Sequence, residues 1–241
     1  MAVGGSTISV SSTTDRLMKL LPEDQIANRP LLARLTAAIV GLVAPACALL
    51  MIRDASAVAP ILAVGMMGAG MIAAAAAGRF VLGVAAALLG GAGLVMLARG
   101  LGMPAFHSPA LAFAAALIAS VSFAARGSLF ARSGGTRGWW IALAVVAGEA
   151  AVLLTAAAMP GAWPVWVLAL LPAQWTTLAM QAGLTGSFAS VAPAALLALG
   201  GTAAATMLVA RLWPRRWPYL IMFITWLALS ALVWQRWEAA L

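Results

Sequence analysis

Charged side chains are scarce in this chain. Of its 241 residues 8% are charged, whereas soluble proteins carry about a quarter. A soluble domain of this size needs a charged surface, which 14 basic and 6 acidic residues do not provide. With 64% hydrophobic residues and a mean hydropathy of +1.04, the composition predicts an all-α, polytopic transmembrane helix bundle.

Cysteine, histidine and lysine occur once each, which excludes several chemistries. A single Cys47 within an apolar run allows neither a disulfide nor a paired-cysteine zinc site inside one chain. A single His107 excludes bis-histidine haem ligation. Because Lys19 precedes the first apolar run, a retinal-type Schiff base inside the bundle has no attachment point. We therefore expect no catalytic residue, no cofactor and no metal, and a lipid-active intramembrane enzyme ranks last.

The net charge of +8 does not indicate nucleic-acid binding. Basic residues stand at the ends of apolar runs, without a cluster interleaved with aromatics. This pattern is typical of membrane proteins that contact anionic lipids. The strongest basic group is Arg211, Arg215 and Arg216, in RLWPRRWPY. We expect it to anchor at lipid head groups, with docking of an acidic partner as the alternative.

The first 34 residues differ from the rest of the chain. Residues 1–12 are small and polar and predict a disordered tail. Within 13–34, Leu17 and Leu21 share a helical face opposite Arg16 and Lys19, which predicts a short amphipathic helix. It lies either on the cytoplasmic membrane surface or against the loops of the bundle. Residues 35–241 form the predicted transmembrane domain.

Eight apolar segments are long enough to be considered as membrane spans, since a bilayer core of about 30 Å needs about 20 residues. They are 35–52, 56–78, 80–98, 108–125, 138–158, 163–182, 188–210 and 217–235. A turn is predicted at Gly78–Arg79, because the second and third segments together would be twice too long. Most tryptophans lie at segment ends, as in an aromatic belt, but Trp175 and Trp226 lie deeper.

The sixth segment does not predict a continuous membrane-spanning helix, because Pro172 interrupts it and polar residues follow. If all eight segments cross, nine basic residues lie on the side of the N-terminus and five on the other. If 163–182 enters and returns, the count becomes eleven to three. The positive-inside rule favours this second threading, with seven crossings, a re-entrant or broken segment and a cytoplasmic N-terminus. Eight crossings remain the alternative.

Glu149 is the most informative single residue, because it lies near the middle of 138–158, where an ionised carboxylate is costly. It predicts a proton or cation site, or a counter-charge for a ligand or a partner's arginine. The structural alternative is a protonated Glu149 that is hydrogen-bonded to a neighbouring helix through a Thr or Ser. No basic residue of the chain is clearly at the same depth.

Three polar residues of the sixth segment, Gln174, Thr177 and Gln181, fall on one helical face. They either line a transport path or form hydrogen bonds between helices. Small residues in the second and third segments, such as Gly70 and Gly83, predict close helix packing.

Together these features predict a bacterial inner-membrane protein that transports a small solute or ion, or a permease subunit, with Glu149 in the path. The alternative is a non-catalytic structural or assembly subunit of a larger membrane complex. Expected partners are the bilayer with its anionic lipids and a possible membrane protein, and not nucleic acid.

Overall fold

The computed structural model describes residues 31–33, 35–51, 55–103 and 105–240, and these residues form nine helices and no strand. In chain order the helices are α1 (Leu31–Met51), α2 (Ala55–Ala77), α3 (Phe80–Gly100), α4 (Pro109–Gly134), α5 (Gly138–Ala158), α6 (Val165–Ala169), α7 (Pro172–Thr185), α8 (Ala192–Leu212) and α9 (Trp217–Glu238). The all-helical fold expected from the composition is confirmed. In the described part of the chain, six helical runs are long and apolar enough to span a membrane.

Proline marks the first turn of α4, α7, α8 and α9. Proline fits there because the backbone N–H groups of the first turn have no hydrogen-bond partner within the helix. Inside α1, Pro45 follows a π-helical turn at Ile39–Val43, where the Ala44 N–H bonds the Ile39 carbonyl. The wider turn accommodates a residue that has no N–H to donate.

The predicted chain reversal at Gly78–Arg79 is confirmed, and a second reversal follows α4. Gly78, with a positive φ of 62°, separates α2 from α3. The run Pro109–Ala158 has 50 residues and would be about 75 Å long as one helix. It is instead divided by a 3-10 turn at Gly135–Arg137, and α4 and α5 pack against each other.

The centre of the bundle is formed by α2, α4 and α7. Helix α2 packs against α1, α3, α4, α5 and α7, and α4 packs against α8 as well. All residues of α7 are buried except Gln181 and Thr185. Large apolar side chains on α3 and α9, including Leu89 and Ile224, are exposed instead. This reversal of a soluble protein's pattern is what a lipid environment requires.

Backbone contacts show which helix ends lie together. The N–H groups of His107 and Ser108, before α4, donate to the carbonyls of Leu184 and Gly183, at 3.1 and 2.9 Å. The end of α7 therefore lies beside the start of α4. Near the other end of α4, Arg132 donates to the carbonyl of Ala210 on α8. Because α8 follows the end of α7, which lies at the start of α4, and finishes beside the end of α4, the two helices α4 and α8 run in the same direction.

The sixth apolar segment contains two short helices. Helix α6 ends at Ala169 and α7 begins at Pro172, the residue predicted to interrupt the segment. Neither belongs to the six runs that are long enough to cross a membrane.

The predicted tail 1–12 and most of the predicted surface segment 13–34 lie outside the described residues. Residues 31–33, the described end of the predicted surface segment, are helical and begin α1.

Close helix packing depends on particular glycines. A Cβ atom at Gly127 of α4 would meet the carbonyl oxygen of Met71 and the Cβ of Ala74, both on α2. At Gly83 of α3 it would meet Ala74 and the carbonyl of Gly70. At Gly148 of α5, by contrast, no atom lies within 4 Å. The backbones of α2, α3 and α4 therefore approach each other where a larger residue does not fit.

We expect Gly127→Ala to lower the free energy of unfolding by about 1–3 kcal/mol, because the new methyl group overpacks the contact with α2. Gly148→Ala is the matched control, since its methyl group enters open space. Denaturant unfolding in detergent, followed by tryptophan fluorescence, measures both. Equal stability of the two variants would contradict a close contact at Gly127.

Candidate functional site

The break between α6 and α7 is the starting point of the candidate site. Leu171 is extended, with φ −93° and ψ 119°, and Pro172 has no N–H. Each helix end leaves backbone groups without a partner inside its own helix. In a bilayer such groups must be bonded by other parts of the protein.

Two tryptophan side chains bond carbonyl groups at this break. The indole Nε1 of Trp175 donates to the Ala169 carbonyl at 2.7 Å, and that of Trp226 on α9 donates to the Leu170 carbonyl at 3.1 Å. These are the two tryptophans that lie deeper in their segments than an aromatic belt requires. Their depth is explained by the interrupted backbone that they bond.

Glu149 bonds the other side of the break. Its Oε2 accepts a hydrogen bond of 3.0 Å from the backbone N–H of Ala173, in the first turn of α7. The N–H groups of Gln174 and Trp175 turn back to the Leu171 carbonyl, at 3.0 and 3.3 Å. A carboxylate at this position also interacts favourably with the positive end of the helix dipole. Glu149 is therefore hydrogen-bonded to a neighbouring helix, but through a backbone N–H and not through a Thr or Ser.

Arg126 lies on α4, the helix that forms a hairpin with α5, although no basic residue was clearly expected at the depth of Glu149. It lies inside α4, its Nη2 donates to the hydroxyl of Thr202 on α8 at 3.1 Å, and its charge acts on Glu149. Its Nη1 is enclosed without a hydrogen-bond partner among the described residues. The sequence placed Arg126 in a loop because hydropathy falls after residue 125, whereas α4 continues to Gly134.

One signal for this pairing was available in the sequence. Arg126 and Glu149 are nearly equidistant from the turn at Gly135–Arg137, so a helical hairpin brings them to similar depth. Ser122 precedes Arg126 by one helical turn on α4 and therefore shares its face. The hydroxyl of Ser122 is also enclosed without a partner in the described part of the chain. We call Ser122, Arg126, Glu149, Thr202 and the first turn of α7 the polar centre.

A cavity of about 170 Å³ reaches this centre between α4, α8 and α9. Its polar wall consists of Arg126, Thr202 and Thr206, and Trp226 belongs to the apolar remainder. At about 30 Å³ for each water molecule, the cavity has room for several waters or a small solute.

The predicted residues Gln174, Thr177 and Gln181 lie on α7 outside this cavity. Gln174 and Thr177 are buried, and Gln181 is half-buried. The hydroxyl of Thr177 donates to the Ala173 carbonyl of its own helix at 3.0 Å, a bond within one helix and not between two.

The predicted docking residues Arg211, Arg215 and Arg216 are exposed at one end of the bundle. Arg211 lies in the last turn of α8, and the other two precede α9. Arg216 shares a shallow cavity with Trp213 and Tyr219, whose rings meet edge to face at 6.1 Å. Tryptophan beside arginine at helix ends is typical of a membrane interface.

Within residues 31–240, as far as they are described, no three His, Cys, Asp or Glu side chains lie close enough to share a metal ion. Comparison with known proteins found no matching family model, no similar curated protein and no similar solved structure.

We expect Trp226→Phe to lower the free energy of unfolding by about 1–3 kcal/mol, because the Leu170 carbonyl loses its donor while most of the ring remains. Trp234→Phe on the same helix is the control, since Trp234 lines a separate cavity beside Trp166. Unfolding in detergent compares the two. An equal loss in both would show that ring packing matters and the indole hydrogen bond does not.

Proposed function

We propose that this chain is an integral membrane transport protein, and not an enzyme, in which a small solute or ion passes through the polar centre. The observation that carries the proposal is the contact of Glu149 with the Ala173 N–H, where a helix is interrupted in the interior of the bundle. Polar and ionisable groups are costly in a membrane interior, so their presence there favours a functional role.

Interrupted helices support this proposal on physical grounds. Irregular backbone at membrane depth is tolerated where it is buried in protein or lines a cavity. Transporters use such breaks, because the exposed helix ends offer N–H and C=O groups to a solute. Here Trp226 both bonds the Leu170 carbonyl at the break and lines the cavity between α4, α8 and α9.

The proposed threading has seven crossings, α1 to α5, α8 and α9, with α6 and α7 re-entrant. The contact of Glu149 with Ala173 supports a start of α7 at the mid-depth of α5. The bonds from His107 and Ser108 support an end of α7 beside the start of α4, where α5 also ends. The chain would then enter and leave at one surface.

Charge supports the same threading. The N-terminus, Arg79, the turn at Gly135–Arg137 and the arginines from 211 to 216 then share one side. Since Arg126 lies inside α4, ten basic residues remain on that side against three on the other. The positive-inside rule makes that side cytoplasmic, in a bacterial inner membrane.

A second function, a structural subunit of a larger complex, is favoured by one observation. A groove of about 610 Å³ runs between α1 and α3 over α2, and only alanine, glycine and leucine line it. Small residues of this kind let transmembrane helices approach closely. A stoichiometric partner in the purified protein would support this function.

We expect single cysteines at positions 162 and 189 to be labelled from the periplasmic side, and a cysteine at 215 from the cytoplasmic side. Ala162, Ala189 and Arg215 are all exposed, and Cys47→Ala removes the native thiol. A membrane-impermeant maleimide applied to intact cells and to inverted vesicles measures the side. Labelling of 162 and 189 from opposite sides would establish a crossing segment and contradict the re-entrant threading.

We expect Glu149→Gln to fold and to lose proton-coupled flux at least tenfold. The glutamine amide oxygen still accepts from Ala173, but the side chain no longer titrates. Glu238→Gln, at the exposed end of α9, is the control. A pH-sensitive dye inside proteoliposomes reports the flux. Equal flux in the two variants would remove Glu149 from the path.

A further inference from the structure

We infer that the cavity between α4, α8 and α9 binds the carboxylate head of a single-chain amphiphile, such as a fatty acid, which enters from the bilayer. In this site Arg126 binds the head, and apolar side chains of α4 and α9 contact the first carbons of the chain. The inference goes beyond the proposed function, because the ligand comes from the surrounding lipid and not through the break between α6 and α7.

The first observation is a cation in the wall of the cavity. Arg126 lines the cavity together with Thr202 and Thr206. The Nη2 of Arg126 donates to Thr202, but its Nη1 is enclosed and has no hydrogen-bond partner among the residues described. A charged donor that lacks an acceptor inside a protein is unfavourable, so a ligand that supplies an acceptor is stabilised here.

The other polar groups of the wall already use their protons. The hydroxyl of Thr202 donates to the Ala198 carbonyl and that of Thr206 donates to the Thr202 carbonyl, both at 2.7 Å. The indole of Trp226 donates at the break. The guanidinium of Arg126 is therefore the donor that the wall leaves for a ligand. Its best complement is a carboxylate, because both groups are planar and pair through two parallel hydrogen bonds.

Glu149 does not take the place of this carboxylate. It acts on Arg126 through its charge, but it does not line the cavity. Its Oε2 is bonded to the backbone N–H of Ala173, on the other side of the break from the tryptophan contacts. The ligand and Glu149 therefore bind different donors.

The rest of the wall is apolar, which selects the part of the ligand behind its head. It consists of Leu129 and Phe130 on α4 and of Met222, Phe223 and Trp226 on α9. The cavity volume of about 170 Å³ corresponds to about five or six water-sized groups of about 30 Å³. A carboxylate with its first methylene groups fits this volume, whereas a phospholipid head group with two chains exceeds it.

The cavity is reached from the bilayer. Helices α4 and α9 both pack against α8 but not closely against each other, which leaves a gap between them over α8. Phe223, in the wall of the cavity, is 54% exposed. Towards the end of α4 the gap is closed, because Leu129, Val209 and Met222 pack together there. The head of an amphiphile therefore enters sideways, and its chain extends through the gap into lipid.

The test measures binding of tritiated palmitate to the purified full chain in phosphatidylcholine nanodiscs by scintillation proximity, with empty nanodiscs as background. We expect saturable binding that unlabelled palmitate displaces. Methyl palmitate, which keeps the chain without the charge, and acetate, which keeps the charge without the chain, should each compete at least tenfold more weakly. If either competes as well as palmitate, the inference is overturned. Displacement of palmitate by phosphatidylglycerol in the nanodisc would assign the cavity to a phospholipid and overturn it as well.

Arg126→Gln removes the cation and should weaken palmitate binding at least tenfold. Arg132→Gln is the matched control, because Arg132 also bonds α8 but does not line the cavity. A folded Arg126→Gln protein that binds palmitate as tightly as wild type would contradict the role of the guanidinium and overturn the inference.

A second pair of variants decides the matter should Arg126→Gln fail to fold. Phe223→Ala removes a lipid-exposed part of the wall and should weaken palmitate binding at least threefold. Phe113→Ala is its control, because Phe113 is exposed on α4 but does not line the cavity. Equal binding by these two variants would show that palmitate does not occupy this cavity.

Discussion

The rest of the structure depends on one constraint: a helix interrupted inside a membrane must have its backbone polar groups bonded by other parts of the protein. The break between α6 and α7 exposes carbonyls at Ala169 and Leu170 and an N–H at Ala173. Indoles from Trp175 and Trp226 bond the carbonyls, and Glu149 bonds the N–H. These contacts join the break to α5 and α9 at one level, while α2, α4 and α8 pack around α7 and bury it.

Arg126 adds a charge to this arrangement and links it to α8. Its guanidinium bonds Thr202, while Arg132, further along the same helix, bonds the Ala210 carbonyl. Both arginines thus join α4 to α8, but only Arg126 also acts on Glu149. Opposite charges inside a protein contribute little net stability, because desolvation offsets most of their attraction. The transport function proposed above gives Arg126 and Glu149 a role that net stability does not.

The sequence predicted those features that local chemistry determines. Gly78 and Pro172 locate a turn and a break because their backbones permit few alternatives. Glu149 was recognisable because a carboxylate in an apolar run is rare. Arg126 was missed because hydropathy measures composition, and the last turns of α4 are too polar to be read as part of a span. Its relation to Glu149 depends on the hairpin, which brings together residues that are distant in the chain.

The three contacts at the break differ in how readily each is broken. The indole of Trp175 is fully buried and belongs to α7 itself, so its bond moves with the helix. Glu149 is half-buried on a neighbouring helix and offers an ionisable oxygen. Protonation weakens its bond to Ala173 without disturbing the packing of the tryptophans, since a neutral acid is a poorer acceptor than a carboxylate. The carbonyl side of the break therefore fixes α7 in place, and in the transport function proposed above the N–H side is where a solute exchanges with the protein.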